Sequence, residues 1–314
     1  MKEIYLAGGS FWGLQKYLNL IFGVLKTEVG YVNGRNYRTS YPRIDKTGHA
    51  QAVRVLYNSK VLPLEKLLNY FYDAIDPTTT NKQGKDIGTQ YRTGIYYTDK
   101  NEVPIIVKSL EELQKKYKEK IVIEIEQIKN YVKAENYHQD FLKNNPFGYC
   151  NIDNKIFENL KAKQFENISY RVMKYKQTER AFHNEYYNHF EKGIYVDIET
   201  NRPLFSSKDK YNGGYGWPTF YKSSFDYELD RFLEIKNLKV HTELLSKATK
   251  SHLGYLFYDG PEPNHLRLCI NSAALRFIPK EKMMEEGYGA YLKYVEWQMS
   301  LFVFFFNKIC AKMK

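Results

Sequence analysis

The hydrophobic periodicity changes character part-way along this chain, and that switch constrains the fold more than any other feature. In the first half, short apolar strands alternate with segments of helical spacing. EIYLA (3–7) reads as a strand, the turn GGS follows, and FWGLQKYLNLIF (11–22) repeats its apolar residues at helical intervals. AVRVLY (52–57) alternates as a half-buried strand, and LPLEKLLNYFYDAI (62–75) places Leu64, Leu67, Leu68 and Phe71 at helical spacing. SLEELQKKYKEK (109–120) is a polar amphipathic helix, and IVIEIE (121–126) alternates again. After NNPFGYC (144–150) the composition turns polar and Lys-rich. Beyond it GIYVDIETNRPLF (193–205), ELLSKATKSHLGYLFYDG (243–260) and LRLCINSAALRFI (266–278) read as strands parted by Gly, Pro and Asn turns, with no strong helix before KMMEEGYGAYLKYVEW (282–297). The pattern predicts an α/β (α+β) domain over 1–155, a linker over 156–175 and a mostly β domain over 176–314. No internal repeat is visible.

A length of 314 residues suits two domains of roughly 150 each. At 43% hydrophobic and 26% charged residues, the composition excludes disorder, a collagen-like chain and a disulfide scaffold. The 47 Lys+Arg against 36 Asp+Glu leave a formal charge of +11, a field that favours acidic partners such as nucleic acid or anionic membrane. The lysines are scattered, as in KSLEELQKKYKEK (108–120), so the expectation is a solvated basic surface. No nucleic-acid-binding motif is present, and nucleic acid is set aside as a partner. Only Cys150, Cys269 and Cys310 are available as thiols, which fits a reducing compartment. MKEIYLAGGSFWG lacks a long apolar leader, and the longest apolar run, SLFVFFF (300–306), is far short of the ~20 residues a spanning helix needs. The expectation is a soluble, cytoplasmic chain with no membrane partner.

The strand, glycine turn and helix at the start place Ser10 at a helix N-terminus, where backbone amides favour an anion and a cysteine would be a reactive thiolate. Ser10 alone reads as an N-cap. Five strings occur in order, however: GGSFWG (8–13), TGHAQAV (47–53), DPTTTNKQGKDIGTQYR (76–92), AENYHQDF (134–141) and KNNPFGYC (143–150). Together they make residues 1–150 resemble the A-type peptide methionine sulfoxide reductase. The resemblance implies that a cysteine in GCFWG attacks methionine-S-sulfoxide and is left as a sulfenic acid, which a second cysteine resolves as a disulfide for thioredoxin to reduce. Ser10 stands at the nucleophile position and Cys150 at the resolving position. Phe11 and Trp12 would form the apolar pocket for the methyl group. Gln51 stands where the family has a proton-donating glutamate. Tyr41, Asp86 and Tyr91 would hold the sulfoxide oxygen and its water. A serine hydroxyl is a far poorer attacker than a thiolate, and Gln51 donates a hydrogen bond but no proton. This half is therefore expected to bind sulfoxide without reducing it. The retained motif favours Ser10 as a replacement introduced into the chain over a natural loss. His49 and His138 are assigned to hydrogen-bonded structural roles.

In the second half TERAF (178–182), GIYVDIETNRPLFSSKDKYNGGYGWPTF (193–220), SHLGYLFYDGPEPNHLRLCINSAAL (251–275) and RFIP (276–279) resemble the B-type methionine sulfoxide reductase, over roughly 175–300. That family is mostly antiparallel β and takes the R epimer, so the resemblance implies the same fold and activity here. Cys269 stands at the nucleophile position. Arg267, two residues away on the same strand face, would favour its thiolate. Asn271, His252 and Asp259 would complete the polar shell around the oxygen. Trp217, supported by Phe220, would pack the substrate methyl. Two residues depart from the family pattern: Tyr255 replaces a histidine treated as the proton donor, and Tyr215 stands where many members have a resolving cysteine. Cys269 sulfenic acid would then pass to an external thiol, or to Cys310 if the tail folds back. No CxxC pair is present, so no metal is expected. No bound cofactor is expected either; thioredoxin or another dithiol serves as reductant.

Two hypotheses follow. One is a fused reductase repairing both epimers in oxidised proteins or free methionine sulfoxide, with no reason to require more than a monomer. The other is a non-catalytic sulfoxide-binding or basic adaptor protein with degenerate sites. The reactivity of Cys269 separates them.

Overall fold

A computed structural model describes residues 1–236 and 239–296, and the chain divides into two units, the second beginning at Asn167. In the first unit a six-stranded sheet runs in the order β7-β6-β1-β3-β2-β8. Its strands are β1 (Lys2–Ala7), β2 (Val24–Val32), β3 (Ala50–Tyr57), β6 (Gly94–Tyr97), β7 (Glu124–Gln127) and β8 (Tyr131–Lys133); β4 (Lys82–Gln83) and β5 (Asp86–Ile87) form a separate small ladder. Only β6 and β7 pair in parallel. The helices are α1 (Phe11–Leu18), α2 (Ile44–Thr47), α3 (Leu64–Asp73), α4 (Val103–Gln114), α5 (Phe141–Asn144) and α6 (Asn154–Phe165).

The core follows the apolar spacing of the sequence. Leu64, Leu67, Leu68 and Phe71 of α3 are all buried, in one cluster with Ile4 and Leu6 of β1 and Val53 and Val55 of β3. Two helices depart from expectation. α1 stops at Leu18, four residues before the end of the periodic run, because the amides of Leu20 and Ile21 turn back on the carbonyls of Tyr17 and Leu18, and Gly23 takes a positive φ of 98°. α4 begins at Val103, six residues early, with Pro104 in its first turn, where the missing N–H costs no hydrogen bond.

The stretch expected as a linker, 156–175, is helical. α6 sends Phe157 and Leu160 into the first core, and its Gln164 ties down the Leu20 carbonyl (3.0 Å) and the Phe22 amide (2.6 Å). α7 (Ile168–Tyr175) opens the second unit under an Asn167 side-chain cap. These helices are hidden in the sequence because each buries only a narrow stripe of a Lys-rich surface.

The second unit is built from antiparallel strands, β9 (Gly193–Asp197), β10 (Pro203–Ser206), β11 (Lys210–Tyr211), β12 (Thr219–Phe220), β13 (Leu229–Lys236), β14 (Lys239–Ser246), β15 (His252–Phe257), β16 (Arg267–Ile270) and β17 (Leu275–Pro279). They form a three-stranded sheet, β10-β9-β17, and a six-stranded sheet, β11-β12-β16-β15-β14-β13. The helix expected over 282–297 is instead a set of turns with one 3-10 segment, Gly289–Tyr294. Gly287, at φ 84°, interrupts the run, and Met283, Tyr288 and Val295 still pack with Ile194, Val196 and Ile278. Trp297, the apolar run 300–306 and Cys310 lie outside the described residues. Among the described residues no helix is long and apolar enough to cross a membrane.

The two sheets are tied by a buried carboxylate. Asp197, at the end of β9, accepts the Ser246 hydroxyl (2.5 Å) from the end of β14 and the amides of Glu199 (2.8 Å) and Thr200 (3.1 Å). Replacing Ser246 by Ala leaves a fully buried carboxylate oxygen short of its donor. We expect the second unit's urea transition to fall by about 1–3 kcal/mol, with the first unit's transition unchanged.

Candidate functional site

In the first unit, the β1–α1 turn brings Ser10 to the start of α1. Gly9, at φ 76°, makes the turn, and a Cβ there would lie 2.6 Å from Gln83. Ser10 is buried and its side chain caps no helix amide, so its hydroxyl is not consumed by the helix. The Phe11 amide is instead taken by the Gln51 side-chain oxygen at 3.1 Å. That orients the Gln51 amide, whose NH2 is its donor to a ligand. Cys150 lies against the same first turn: a Cβ placed at Gly13 would come within 3.2 Å of its sulfur and would clash with the Asn151 side-chain oxygen. The Cys150 thiol donates weakly to the Ile152 carbonyl (3.5 Å).

Aromatic rings crowd beside this turn. Trp12 stacks on Phe141 with centroids 4.0 Å apart, and its indole N–H donates to His138 Nδ1 at 3.1 Å. The His138 ring is 5.2 Å from Phe11 and 4.6 Å from Tyr41. Burial lowers the His138 pKa against the pull of Glu135, which keeps Nδ1 free to accept. Glu135 in turn accepts the Tyr31 hydroxyl (2.6 Å) and the Tyr41 amide (3.1 Å). Burial raises Asp86, opposed by the Tyr149 hydroxyl, which donates to it at 3.2 Å, and by the Ser10 backbone N–H. Tyr91 is raised by burial, and its carbonyl accepts the Gly9 amide (3.3 Å). Sequence reasoning did not single out Glu135; its signal was the AENYHQDF string, where its carboxylate sets the Tyr41 backbone. His49, fully buried, hydrogen-bonds Thr47 at 2.9 Å.

In the second unit, strand register builds the site. β15 and β16 pair Tyr255 with Cys269 and Phe257 with Arg267, while β12 pairs Thr219 with Cys269. Because side chains alternate, Leu256 and Leu268 go to the core and Tyr255, Phe257, Arg267 and Cys269 share the opposite face. Cys269 there opens onto a cavity of about 180 Å³ lined by Thr178, Trp217, Tyr255, Phe257 and Asn271 among others. The Trp217 indole donates to the Glu179 carbonyl (3.1 Å), and the Glu179 carboxylate receives the amides of Ser272 and Ala273. The TERAF segment thus fixes both the tryptophan wall and the turn after Cys269. Asn271 Nδ2 donates to the Leu253 carbonyl (3.1 Å). Thr178, Glu179 and Phe257 were not singled out from sequence; each lies in a motif string, and only the pairing shows that they meet.

Four residues assigned to this site, Phe220, His252, Asp259 and Arg267, do not line the cavity. Phe220 pairs opposite Leu268 on the core face, fully buried and stacked on Phe205 at 4.2 Å. His252 is buried behind Tyr255 (ring centroids 5.1 Å apart), its Nδ1 2.7 Å from Glu243. Asp259 grips the Arg267 guanidinium with two hydrogen bonds, 2.7 and 2.9 Å. Arg267 is itself held between the Tyr215 and Phe257 rings, 3.9 and 4.0 Å from their centroids. Tyr215 therefore packs the arginine at the place expected for a resolving thiol.

The electrostatics differ from the sequence expectation in one respect. Arg267 does pull the Cys269 thiol down, but burial outweighs it and the thiol is pushed up to about 11. The chief reason is burial of the sulfur; the negative charges of Glu179 and then Asp259, which shares Arg267, add to it in smaller measure. Among the described residues no group of three or more His, Cys, Asp or Glu side chains converges as a metal site.

The peptide methionine sulfoxide reductase family model matches residues 2–169, and the SelR domain model matches residues 165–279. The chain belongs to the peptide methionine sulfoxide reductase family. It is a fusion, a first domain of the S-epimer kind and a second of the R-epimer kind, and both domains are of reductase type. Among solved structures, reduced Mxr1 from Saccharomyces cerevisiae is 41% identical, covering 48% of this chain and 88% of its own, with a TM-score of 0.45. Methionine sulfoxide reductase A of Corynebacterium diphtheriae is 31% identical over 48% of this chain and 77% of its own, also at 0.45. Mxr1 in complex with Trx2 is 32% identical over 44% of this chain and 83% of its own, at 0.34.

Charge around the second thiol gives a direct test of this reductase. Asp259→Asn removes the negative charge and frees Arg267, so the Cys269 pKa falls and its alkylation by iodoacetamide below pH 11 speeds up. Arg267→Met does the reverse. Peptide-resolved mass spectrometry against pH reads both, and unchanged profiles would show that Arg267 does not set the thiol.

Proposed function

We propose that the second domain reduces methionine-R-sulfoxide through Cys269, and that the first domain binds the S epimer without turning it over. The observation that carries the first part is the Cys269 thiol opening onto a small cavity walled by Trp217 and Phe257, which suits a methyl thioether side chain. The thiolate attacks the sulfoxide sulfur and forms an S–S bond while the oxygen takes two protons and leaves as water. A water then attacks the Cys269 sulfur, the S–S bond breaks, methionine leaves with that electron pair, a proton is released, and Cys269 is left as a sulfenic acid. A dithiol then returns it to the thiol, forming one disulfide and one water. Thioredoxin is the dithiol this reading favours, supported by the yeast relative in complex with Trx2. Cys310 offers an internal route, though it falls outside the described residues. The substrate is methionine sulfoxide in oxidised proteins or as the free amino acid.

The second part rests on Ser10 and Gln51. The helix start and aromatic walls are built as if for a reactive thiolate, yet the attacking atom is a hydroxyl and the acid is an amide. The shape for binding is retained and the chemistry is lost. A monomer in the cytoplasm is consistent with this reading.

Single-turnover reduction of separated R and S epimers of a sulfoxide peptide, with dithiothreitol, tests both parts. We expect reduction of R alone, a loss of ~10³-fold or more on Cys269→Ser, and S-epimer reduction gained on Ser10→Cys. The Ser10→Cys/Gln51→Glu double variant should be faster still, as the proton donor returns. Failure of the unaltered chain on both epimers would leave a non-catalytic sulfoxide binder.

A further inference from the structure

Behind the Cys269 cavity lies a charged cluster that the reaction as written does not use. α7 ends on Lys176, which adopts φ 54°, ψ 29°, a left-handed conformation that a lysine rarely takes. Its ammonium reaches two carboxylates, Glu243 at 2.6 Å and Glu234 at 3.1 Å. Each carboxylate uses its other oxygen on an aromatic residue of the site. Glu243, fully buried on β14, is 2.7 Å from His252 Nδ1; Glu234 on β13 accepts the Tyr255 hydroxyl at 2.9 Å. Three strands and the end of a helix thus meet on one lysine.

We propose that Lys176 is a positioning residue of the second domain: by binding Glu243 and Glu234 together it fixes the hydroxyl of Tyr255, which lines the Cys269 cavity, and the His252 ring behind it. The inference rests on reading the Cys269 cavity as the sulfoxide site. Without the ammonium, the buried Glu243 carboxylate loses its cation and Glu234 loses the tie that joins it to Glu243, so the two carboxylates no longer hold His252 and Tyr255 in a single geometry. The groups facing His252 are Glu243, Glu234, Lys176 and Tyr255, with the His241 ring 6.0 Å from that of Tyr255. Burial chiefly lowers the His252 pKa, the two glutamates raise it and Lys176 lowers it. With Nδ1–H given to Glu243, neutral His252 keeps Nε2 unprotonated, and that atom is buried without a partner. Protonation would bury an unpaired N–H there, so the cation on Lys176 helps hold the ring neutral.

The test compares the full-length chain with Lys176→Met, which removes charge and donors, and Lys176→Gln, which keeps donors but not charge and perturbs the fold less. Lys176→Arg is the conservative control. Two readouts are taken: the pH profile of single-turnover R-sulfoxide reduction, and the His252 titration by NMR, assigned by its absence in His252→Asn. We expect the Met and Gln variants to lose roughly tenfold in rate, with the His252 midpoint moved to higher pH and the acid limb of the rate moved with it; Arg should restore both. A His252 titration unchanged in both Met and Gln overturns the proposal, even if turnover is slower, because a purely structural loss would not spare it. If Met does not fold, the Gln variant alone decides. Absence of R-sulfoxide turnover in the unaltered chain would count against the proposed function only, since the titration needs no turnover.

Discussion

The register of β15 against β16 is the constraint on which the second site depends. With side chains alternating across the sheet, a slip of one residue would carry Cys269 and Arg267 to the core face and bring Leu268 to the cavity. The register is pinned from the apolar side, where Leu256, Leu268 and Phe220 are fully or nearly buried. Fully burying such a side chain is worth about 1.5–3 kcal/mol, so a slip that exposed all three would cost several times any single polar contact at the site. The chemistry on one face is thus aligned by packing on the other. The same pairing brings Phe257 opposite Arg267, and the guanidinium is then clamped between two rings and a carboxylate.

That clamp has a consequence for reactivity. An arginine two residues from a cysteine lowers the thiol's pKa only as far as its charge is not already shared. Here Asp259 takes both faces of the hydrogen-bonding fork, and burial of the sulfur dominates. Arg267 is better regarded as a charge held in the packing beside the site, between Tyr215 and Phe257, than as a charge supplied to the thiol. The first domain relies on a different device, a helix start at residue 10 whose Phe11 amide is occupied by the Gln51 side chain. That device needs an ionisable side chain to act upon, and Ser10 is not one at neutral pH.

The sequence made the two architectures legible because their periodicities differ, and it made the motif strings legible because the residues of each string are close in sequence. Leu64 to Phe71 and the strand alternation around Cys269 both appear in the structure where the spacing puts them. What escaped depends on contacts between distant segments. α6 and α7 bury so few apolar residues that a Lys-rich surface hid them. Phe220 lies in a motif string beside a site residue, but the alternation of β12 turns it inward. Glu179, Glu243 and Lys176 are ordinary charged residues in one dimension. They acquire roles only where the TERAF turn, β14 and the end of α7 converge.

The cluster around Lys176 also bears on the replacement of a histidine by Tyr255. A tyrosine hydroxyl is a weak acid near neutrality, and burial together with Glu234 raises it further. A site that loses an imidazole at this place keeps a hydrogen-bond donor but loses a group that titrates in the physiological range. His252 is then the imidazole packed behind Tyr255 on its own strand, and its Nδ1 is committed to Glu243. An unneutralised pair of glutamates there would pull His252 toward its charged form and leave Tyr255 facing two negative charges. One ammonium eases both conflicts by bridging the two carboxylates, at the cost of a left-handed backbone at the helix end. Burial of the thiol, sharing of the arginine and pairing of the glutamates therefore act in the same direction: they favour a resting site with little net charge, in which reactivity waits for the substrate to displace water and for a proton to reach its oxygen.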